Sequence, residues 1–333
     1  MTLPPLHPGS ALFPSGDDLP LIPACDHYAG NERFLRKALE LQAELGPVFD
    51  ITADCEDGAP RGGEREHLGM ILDGITSPAN RYRQVGVRIH DHSSPLWREE
   101  IEQVVGRAGG TVSHLTIPKV ENPRHLEEML AHLSECARRT SLSRSIPVHV
   151  LIESAVAVER VREIAAVPGI RGLDFGLMDF VSSHGGAIPI EGMQSPGQFT
   201  HHLIVRAKVE VAAAALAHRL IPAHNVTPSF ADAARTAADA RTARLEFGFL
   251  RMWSVHPVQV RAIVTAMQPD LSLVERAGAI LLAARQVAWG PISHEGTLHD
   301  RASYRALWQL VQRARRGGMA LPPAVERAFF SAD

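Results

Sequence analysis

The sequence predicts an α/β protein: a closed (β/α)8 TIM barrel with a C-terminal helical extension. Three observations carry that prediction. Eight short β-like runs recur along the chain, several of them followed by a segment with apolar residues at helical spacing. The runs are largely apolar, as parallel strands covered on both faces are. Charged and polar residues gather where the runs end, which is where barrel enzymes build their sites. Eight units in about 240 residues fit a closed barrel. A doubly wound sheet is the runner-up, but it would more often carry a Gly-rich phosphate turn after the first strand, and CDHYAGNE is not GxGxxG.

Taken in order, LPLIPAC (19–25) is the first strand, and NERFLRKALELQAELG follows with helical spacing and a closing glycine. VFDITAD (48–54) runs into Asp54, Glu56 and Asp57. VGVRIH (85–90) carries Arg88 near its end. HLTIPKV (114–120) brings Lys119 and Glu121, and PRHLEEMLAHLSECARR is the helix behind it. PVHVLIE (147–153) ends in Glu153, and GLDFGLM (172–178) in Asp179. IPAHNVT (221–227) contains Asn225. TARLEFGF is a short entry into LRMWSVH (250–256), which ends in His256. Residues 1–290 are assigned to the catalytic barrel. Residues 291–333 are expected to form an extension that packs on a neighbouring subunit.

The bulk properties narrow the function. The chain has 333 residues, a formal charge of −3 and 45% hydrophobic residues, enough for a large core. No basic stripe suggests nucleic acid. Three widely spaced cysteines without CxxC or Cys/His zinc spacing suit a reducing compartment. MTLPPLHPGSALFPSGDDLP carries no early positive charge and no apolar core of signal-peptide length, and VEVAAAALA is too short to span a bilayer. The expectation is a cytoplasmic protein with no membrane partner and a small-molecule substrate. No GxSxG elbow points to nucleophilic hydrolysis.

The chemistry is suggested by FDITADCEDG, where Asp50, Asp54, Glu56 and Asp57 crowd a segment that begins as a buried strand. Such crowding is costly unless a cation offsets it. Glu153 and Asp179 end consecutive strands, which are neighbours in a barrel. Two carboxylates so placed can share one hard divalent cation, Mg²⁺ or Mn²⁺, leaving other positions to water and substrate oxygens. The alternative for the pair is two helix caps. Arg88 could clamp a carboxylate or stabilise an enolate oxygen, or form a salt bridge with Glu56 or Asp57, or both.

These segments also resemble the citrate lyase β-subunit-like family of the HpcH/HpaI aldolase superfamily. VFDITADCEDG is similar to its "LDCEDGV" strand, VGVRIH to "VRIN", LTIPKVENPRHLEEM to "LPKVES", and HVLIES…LDFGLMDF to "LIET…FG..DF". SVHPVQV resembles "IHP.QI", and HEGTLHDRASYRAL resembles the closing "G.M.D.P" segment. The match spans roughly residues 20 to 310, with its motifs in order. The resemblance implies a Mg²⁺-dependent carbon–carbon lyase acting on a hydroxyacyl-CoA ester of malyl-, citramalyl- or citryl-CoA type through an enolate. It implies Glu153 and Asp179 as metal ligands, Arg88 as the substrate clamp, and Glu56 and Asp57 as acids orienting the metal's waters and that arginine. It implies Asp300 as an acid/base group reaching a neighbouring subunit's site in a homotrimer or hexamer. Lys119 and Gly176 are placed with the substrate-binding residues. The family's first-strand arginine is missing, and Asp26, His27 and Tyr28 stand there instead. His27 could take over recognition, or be a loop histidine. His256 could contact ligand or brace the barrel end. Two alternatives stay open: an aldolase on a free 4-hydroxy-2-keto acid, and a citrate-lyase-type subunit that needs an acyl-carrier partner.

Overall fold

A computed structural model describes residues 6–16, 18–57, 61–230 and 232–331. Eight parallel strands close into a barrel in the order β1 to β8: Cys25–Ala29, Phe49–Asp54, Val85–Arg88, Leu115–Ile117, Val148–Ile152, Ile170–Phe175, Ile221–His224 and Arg251–Ser254. β1 pairs with both β2 and β8, which closes the ring.

Alternation along the strands sorts the side chains. Phe49, Ile51 and Ala53, with Val148, Val150 and Ile152, join the large apolar core that includes the flanking helices. Their alternates, such as Asp50, Thr52 and Asp54, are polar and buried. The helix Glu32–Leu45 starts at Asn31, whose Oδ1 accepts the Phe34 N–H at 3.0 Å, and buries Leu35, Ala38, Leu39 and Gln42. It stops at Gly46, where φ is +80°. The helix Pro123–Arg139 is capped by Asn122 and buries Leu126, Met129, Leu133 and Cys136.

The first strand departs from the expectation. It begins at Cys25, where LPLIPAC was expected to end. Pro20 and Pro23 have no N–H to donate to a ladder, so that run cannot be a central strand. Asp26, His27 and Tyr28 therefore lie inside β1, not in a loop beyond it. The sixth strand likewise stops at Phe175, and Leu177–Ser182 is a short helix.

The barrel unit runs from Pro23 to Met267. A second compact unit comprises Met1–Ile22 with Gln268–Asp333. It has its own core, in which Ile280, Leu281 and Ala284 of helix Leu271–Gln286 pack with Trp289, Tyr304, Trp308 and Phe329. That helix, grouped with the barrel in the sequence-based division at residue 290, therefore belongs with the terminal unit. β9 (Ile292–His294) and β10 (Thr297–His299) form a hairpin, and Arg301–Arg316 is the long helix after it. Among the described residues, no helix is long and apolar enough to cross a membrane. All three cysteines are free and buried.

Candidate active site

A cavity of about 280 Å³ opens at the C-terminal ends of the strands, lined by Tyr28, Asp57, Arg88, Leu151, Glu153, Gly176, Asp179, Asn225 and Trp253, among others. A larger groove of about 710 Å³ lies between helices Glu32–Leu45 and Glu64–Thr76, outside the barrel. The chemistry converges on the smaller cavity.

Arg88 is fixed at its wall. Its register partner on the adjacent strand is Asp54. Arg88 Nε donates to Asp54 Oδ1 at 2.6 Å and Nη2 to Asp54 Oδ2 at 2.8 Å, a two-pronged pairing that sets the guanidinium plane. The Tyr28 hydroxyl donates to Asp54 Oδ2 at 2.9 Å, and the Glu56 N–H to Oδ1 at 3.1 Å. Arg88 also meets Asp57 Oδ2 and Glu56 Oε2, each at 3.2 Å, and Lys119 Nζ contacts Glu56 Oε1. Burial alone would raise the Asp54 carboxyl, but the Arg88 hydrogen bonds and charge hold it below the usual range. For Glu56 burial wins over both cations, and its carboxyl is raised.

Glu153 stands across the cavity, 4% exposed. Its Oε1 accepts the Lys119 backbone N–H at 2.6 Å. Lys119 has φ of +51°, an uncommon conformation for a residue with a side chain. Gly176 leaves the space for the carboxylate: a Cβ there would lie 2.6 Å from Glu153 Oε2 and 2.5 Å from Glu153 Cβ. Burial pushes the Glu153 carboxyl up to about 7, with the charges of Asp179 and Glu56 adding to the rise against the pull of the Lys119 N–H and Arg88. Asp179 lies in the first turn of Leu177–Ser182, exposed to the same cavity. Ser154, not Glu153, caps the helix after β5, so the capping alternative does not account for the glutamate.

The HpcH/HpaI aldolase/citrate lyase model matches residues 51–247, which hold strands β3 to β7 and most of β2. The chain belongs to the HpcH/HpaI aldolase/citrate lyase family. Membership makes it a carbon–carbon lyase. It is 25% identical over 276 residues to the L-malyl-CoA/β-methylmalyl-CoA lyase of Cereibacter sphaeroides, covering 79% of this chain and 86% of the relative. It is 26% identical over 293 residues to the malyl-CoA/β-methylmalyl-CoA/citramalyl-CoA lyase of Chloroflexus aurantiacus, covering 82% of each. A crystal structure described as a citrate lyase from Burkholderia xenovorans shares 44% identity at a TM-score of 0.84, over 97% of this chain and 100% of that one. The fold is also that of CitE from Mycobacterium tuberculosis in complex with magnesium, acetoacetate and coenzyme A, at 19% identity and a TM-score of 0.64, over 89% of this chain and 98% of that one.

In this lyase the expected residues Arg88, Asp57, Glu153, Gly176 and Asp179 line one cavity, and Glu56 and Lys119 stand behind them as an ion pair. Glu153 and Asp179 offer hard carboxylate donors, and the Gly176 gap leaves Glu153 Oε2 unobstructed, so the pair fits a divalent ion. Three expectations change. His27 does not reach the cavity: it is 2% exposed, its Nδ1 pairs with Ser254 Oγ at 2.7 Å, and burial lowers its pKa to about 4. Strand alternation puts Tyr28, not His27, on the inner face. His256 lies outside the cavity lining, where its Nδ1 accepts the Val258 N–H and its ring stacks on Phe230. Lys119 meets the site through its backbone N–H and Glu56, while its side chain helps line a separate cavity of about 610 Å³. Asp300 lies in the terminal unit, exposed, as the cap of helix Arg301–Arg316: its Oδ1 accepts the Ala302 and Ser303 N–H groups.

Sequence reasoning missed the main partner of Arg88, and it missed Trp253. Both were readable only through strand parity: Asp54 shares its register with Arg88, and Trp253 is two residues beyond the inward Arg251. Asn225 also lines the cavity. Its Nδ2 donates to Gln198 Oε1 at 3.0 Å, and its buried Oδ1 has no hydrogen-bond partner among the described residues.

Proposed function

We propose that this lyase is Mg²⁺-dependent and cleaves, or in reverse forms, a hydroxyacyl-CoA ester of malyl-CoA or citramalyl-CoA type. The observation that carries the reading is the convergence of Glu153, Asp179 and an acid-locked Arg88 on one cavity at the catalytic end of the barrel. The names of the Cereibacter and Chloroflexus relatives support the substrate class, and the magnesium and coenzyme A of the CitE complex support the cofactor and thioester.

Charge supports the ion. Among the described residues, the carboxylates of Glu56, Asp57, Glu153 and Asp179 gather around Arg88 and Lys119. Glu153 and Asp179 would hold Mg²⁺, with Mn²⁺ able to replace it. When bound, such an ion polarises substrate oxygens and offsets developing negative charge. The protein's own groups supply the rest. Arg88 holds the substrate's carboxylate or carbonyl end through the guanidinium edge away from Asp54, where Glu56 and Asp57 stand at 3.2 Å and give way to the substrate. Asp54 and Tyr28 keep that edge in place. Glu56 joins Arg88 to Lys119, and Asp57 braces the open side. Loss of the substrate hydroxyl proton to a base lets the carbon–carbon bond break. The bonding electrons pass to the thioester as an enolate, which a proton then quenches. For a malyl- or citramalyl-type ester, an aldehyde or ketone bearing the new carbonyl leaves with the acetyl- or propionyl-CoA product.

The base in this reading is Asp300, delivered by the terminal unit of a neighbouring subunit in a homotrimer or hexamer. Its exposure on a capped helix start suits delivery to another chain. The missing first-strand arginine leaves Tyr28 and Asp54 at that end of the site, so the acyl group recognised is set differently there. The 44%-identical structure described as a citrate lyase favours a second reading, a citryl-type substrate with an acyl-carrier partner. Two experiments test the assignment. Glu153→Gln and Asp179→Asn should each weaken Mg²⁺ binding in calorimetry by about 10-fold or more; unchanged affinity removes that residue from the ligand set. Co-expressed Glu153→Gln and Asp300→Asn chains should recover activity that neither variant has alone. No recovery from a mixed oligomer overturns the shared site.

A further inference from the structure

Beneath the cavity, inside the barrel, lies a second group of charges that the lyase chemistry does not use. Asp26, Asp50 and Asp174 point inward from β1, β2 and β6 and are 0%, 6% and 0% exposed. Arg251, fully buried on β8, donates to Asp26 Oδ2 and, at 2.6 Å, to Asp50 Oδ2. Buried carboxylates need partners, because a protein interior does not tolerate bare charge cheaply.

Two histidines stand beside these acids, His114 by Asp26 and His149 by Asp174, each at 3.6 Å. Thr52 Oγ1 gives its only hydrogen to Asp26 Oδ1 at 2.8 Å, so it accepts from His114 Nε2, also at 2.8 Å. His114 Nδ1 is 2.8 Å from Ser113 Oγ, which donates to it. That pattern is complete for a neutral imidazole. His149 is different. It is 2% exposed, and its Nδ1 has no hydrogen-bond partner among the described residues. Asp174 Oδ2 accepts the Trp253 Nε1–H at 3.0 Å, but among the described residues its Oδ1 has no hydrogen-bond partner either. The two lone atoms stand 3.6 Å apart, beyond hydrogen-bond distance. Gly172 makes room for the ring: a Cβ there would lie 3.2 Å from His149 Nδ1.

One ligand atom from each of Asp26, His149 and Asp174 lies within 4.8 Å of the other two. Ligands about 2.0–2.2 Å from a shared ion stand roughly 3–4 Å apart, a spacing that small side-chain rotations reach from here. We propose that Asp26, His149 and Asp174 hold a second divalent ion, sealed in the barrel below the catalytic cavity and separate from the ion at Glu153 and Asp179. One imidazole with two carboxylates suits Zn²⁺ better than Mg²⁺. Its role is to fix the strands under the site, since Trp253 both lines the cavity and bonds Asp174.

The test is elemental analysis of the full-length protein, expressed in zinc-supplemented medium and dialysed against EDTA while folded. The expected result is about one zinc per chain that survives EDTA and is released on unfolding, because all three ligands are buried and the chelator reaches the ion only when the barrel opens. His149→Gln, if folded, should lose most of it. Should that variant not fold, anomalous scattering at the zinc edge from wild-type crystals should place the ion between Asp26, His149 and Asp174. Folded wild type without zinc after EDTA overturns the proposal. Zinc retained in folded His149→Gln, or an anomalous peak elsewhere, overturns it equally.

Discussion

Gly176→Ala perturbs the site by one methyl group and nothing else. The added Cβ would lie 2.5 Å from Glu153 Cβ and 2.6 Å from Glu153 Oε2. Carbon atoms pack at about 3.5–4.0 Å, so roughly 1 Å must be recovered by moving the glutamate or the strand end. The carboxylate tip can swing away, but Cβ cannot move without its backbone, which follows directly on β5, where the Ile152 carbonyl accepts the Gly176 N–H at 3.0 Å. Glu153 is therefore displaced from its Lys119 N–H and from the position facing Asp179. A displacement of this size costs about 100-fold in turnover when the group orients reacting partners. Loss of ligand geometry should weaken Mg²⁺ by about 10- to 100-fold. The overpacking cost to stability is about 1–3 kcal/mol. The assay is calorimetric Mg²⁺ affinity beside kcat and thermal melting of the same preparation. A folded Gly176→Ala protein with wild-type Mg²⁺ affinity and kcat would refute the claim that this glycine exists to seat Glu153.

Arg88→Lys keeps the charge but cannot reproduce the two-pronged bond to Asp54; kcat/KM should fall by about 100- to 1,000-fold, and an activity near wild type would show that only charge matters. The elevated Glu153 pKa sets a pH dependence. A carboxyl raised in the folded state to about 7 stabilises the metal-free fold at low pH, and that contribution is lost as pH rises from its ordinary value of 4.5 through about 7. A metal ligand must be ionised, so Mg²⁺ should raise the melting temperature more at pH 8 than at pH 5.5; equal shifts would remove Glu153 from metal binding. His27→Gln should leave KM unchanged while lowering the melting temperature, because its ring serves the packing behind β1 through Ser254; a raised KM with intact stability would return His27 to the substrate site.

The barrel and the acids of its catalytic end were legible because both follow from local rules. Apolar runs mark strands, and the residue that ends a run, such as Glu153, sits at the strand's end whatever the partners are. The first strand was misread because its apolar run, LPLIPAC, precedes the pairing segment, and only the missing N–H groups of Pro20 and Pro23 show that. This offset put His27 at the cavity and hid Tyr28. The pairing of Asp54 with Arg88 and of Arg251 with Asp26 depends on register between strands, and Arg251 and Asp26 are 225 residues apart in the chain. No local pattern carries that information. Helix Leu271–Gln286 was grouped with the barrel because its apolar spacing looks like that of any barrel helix; its core partners, Trp289 and Trp308, lie beyond it in sequence.

The most direct measurement is cleavage of a panel of malyl-, citramalyl-, citryl- and β-methylmalyl-CoA, with free 4-hydroxy-2-keto acids alongside, in Mg²⁺ and in EDTA. The account predicts release of acetyl-CoA or propionyl-CoA from a CoA ester in Mg²⁺ and its loss in EDTA. Turnover confined to the free keto acids, or CoA-ester cleavage unaffected by EDTA, would contradict it.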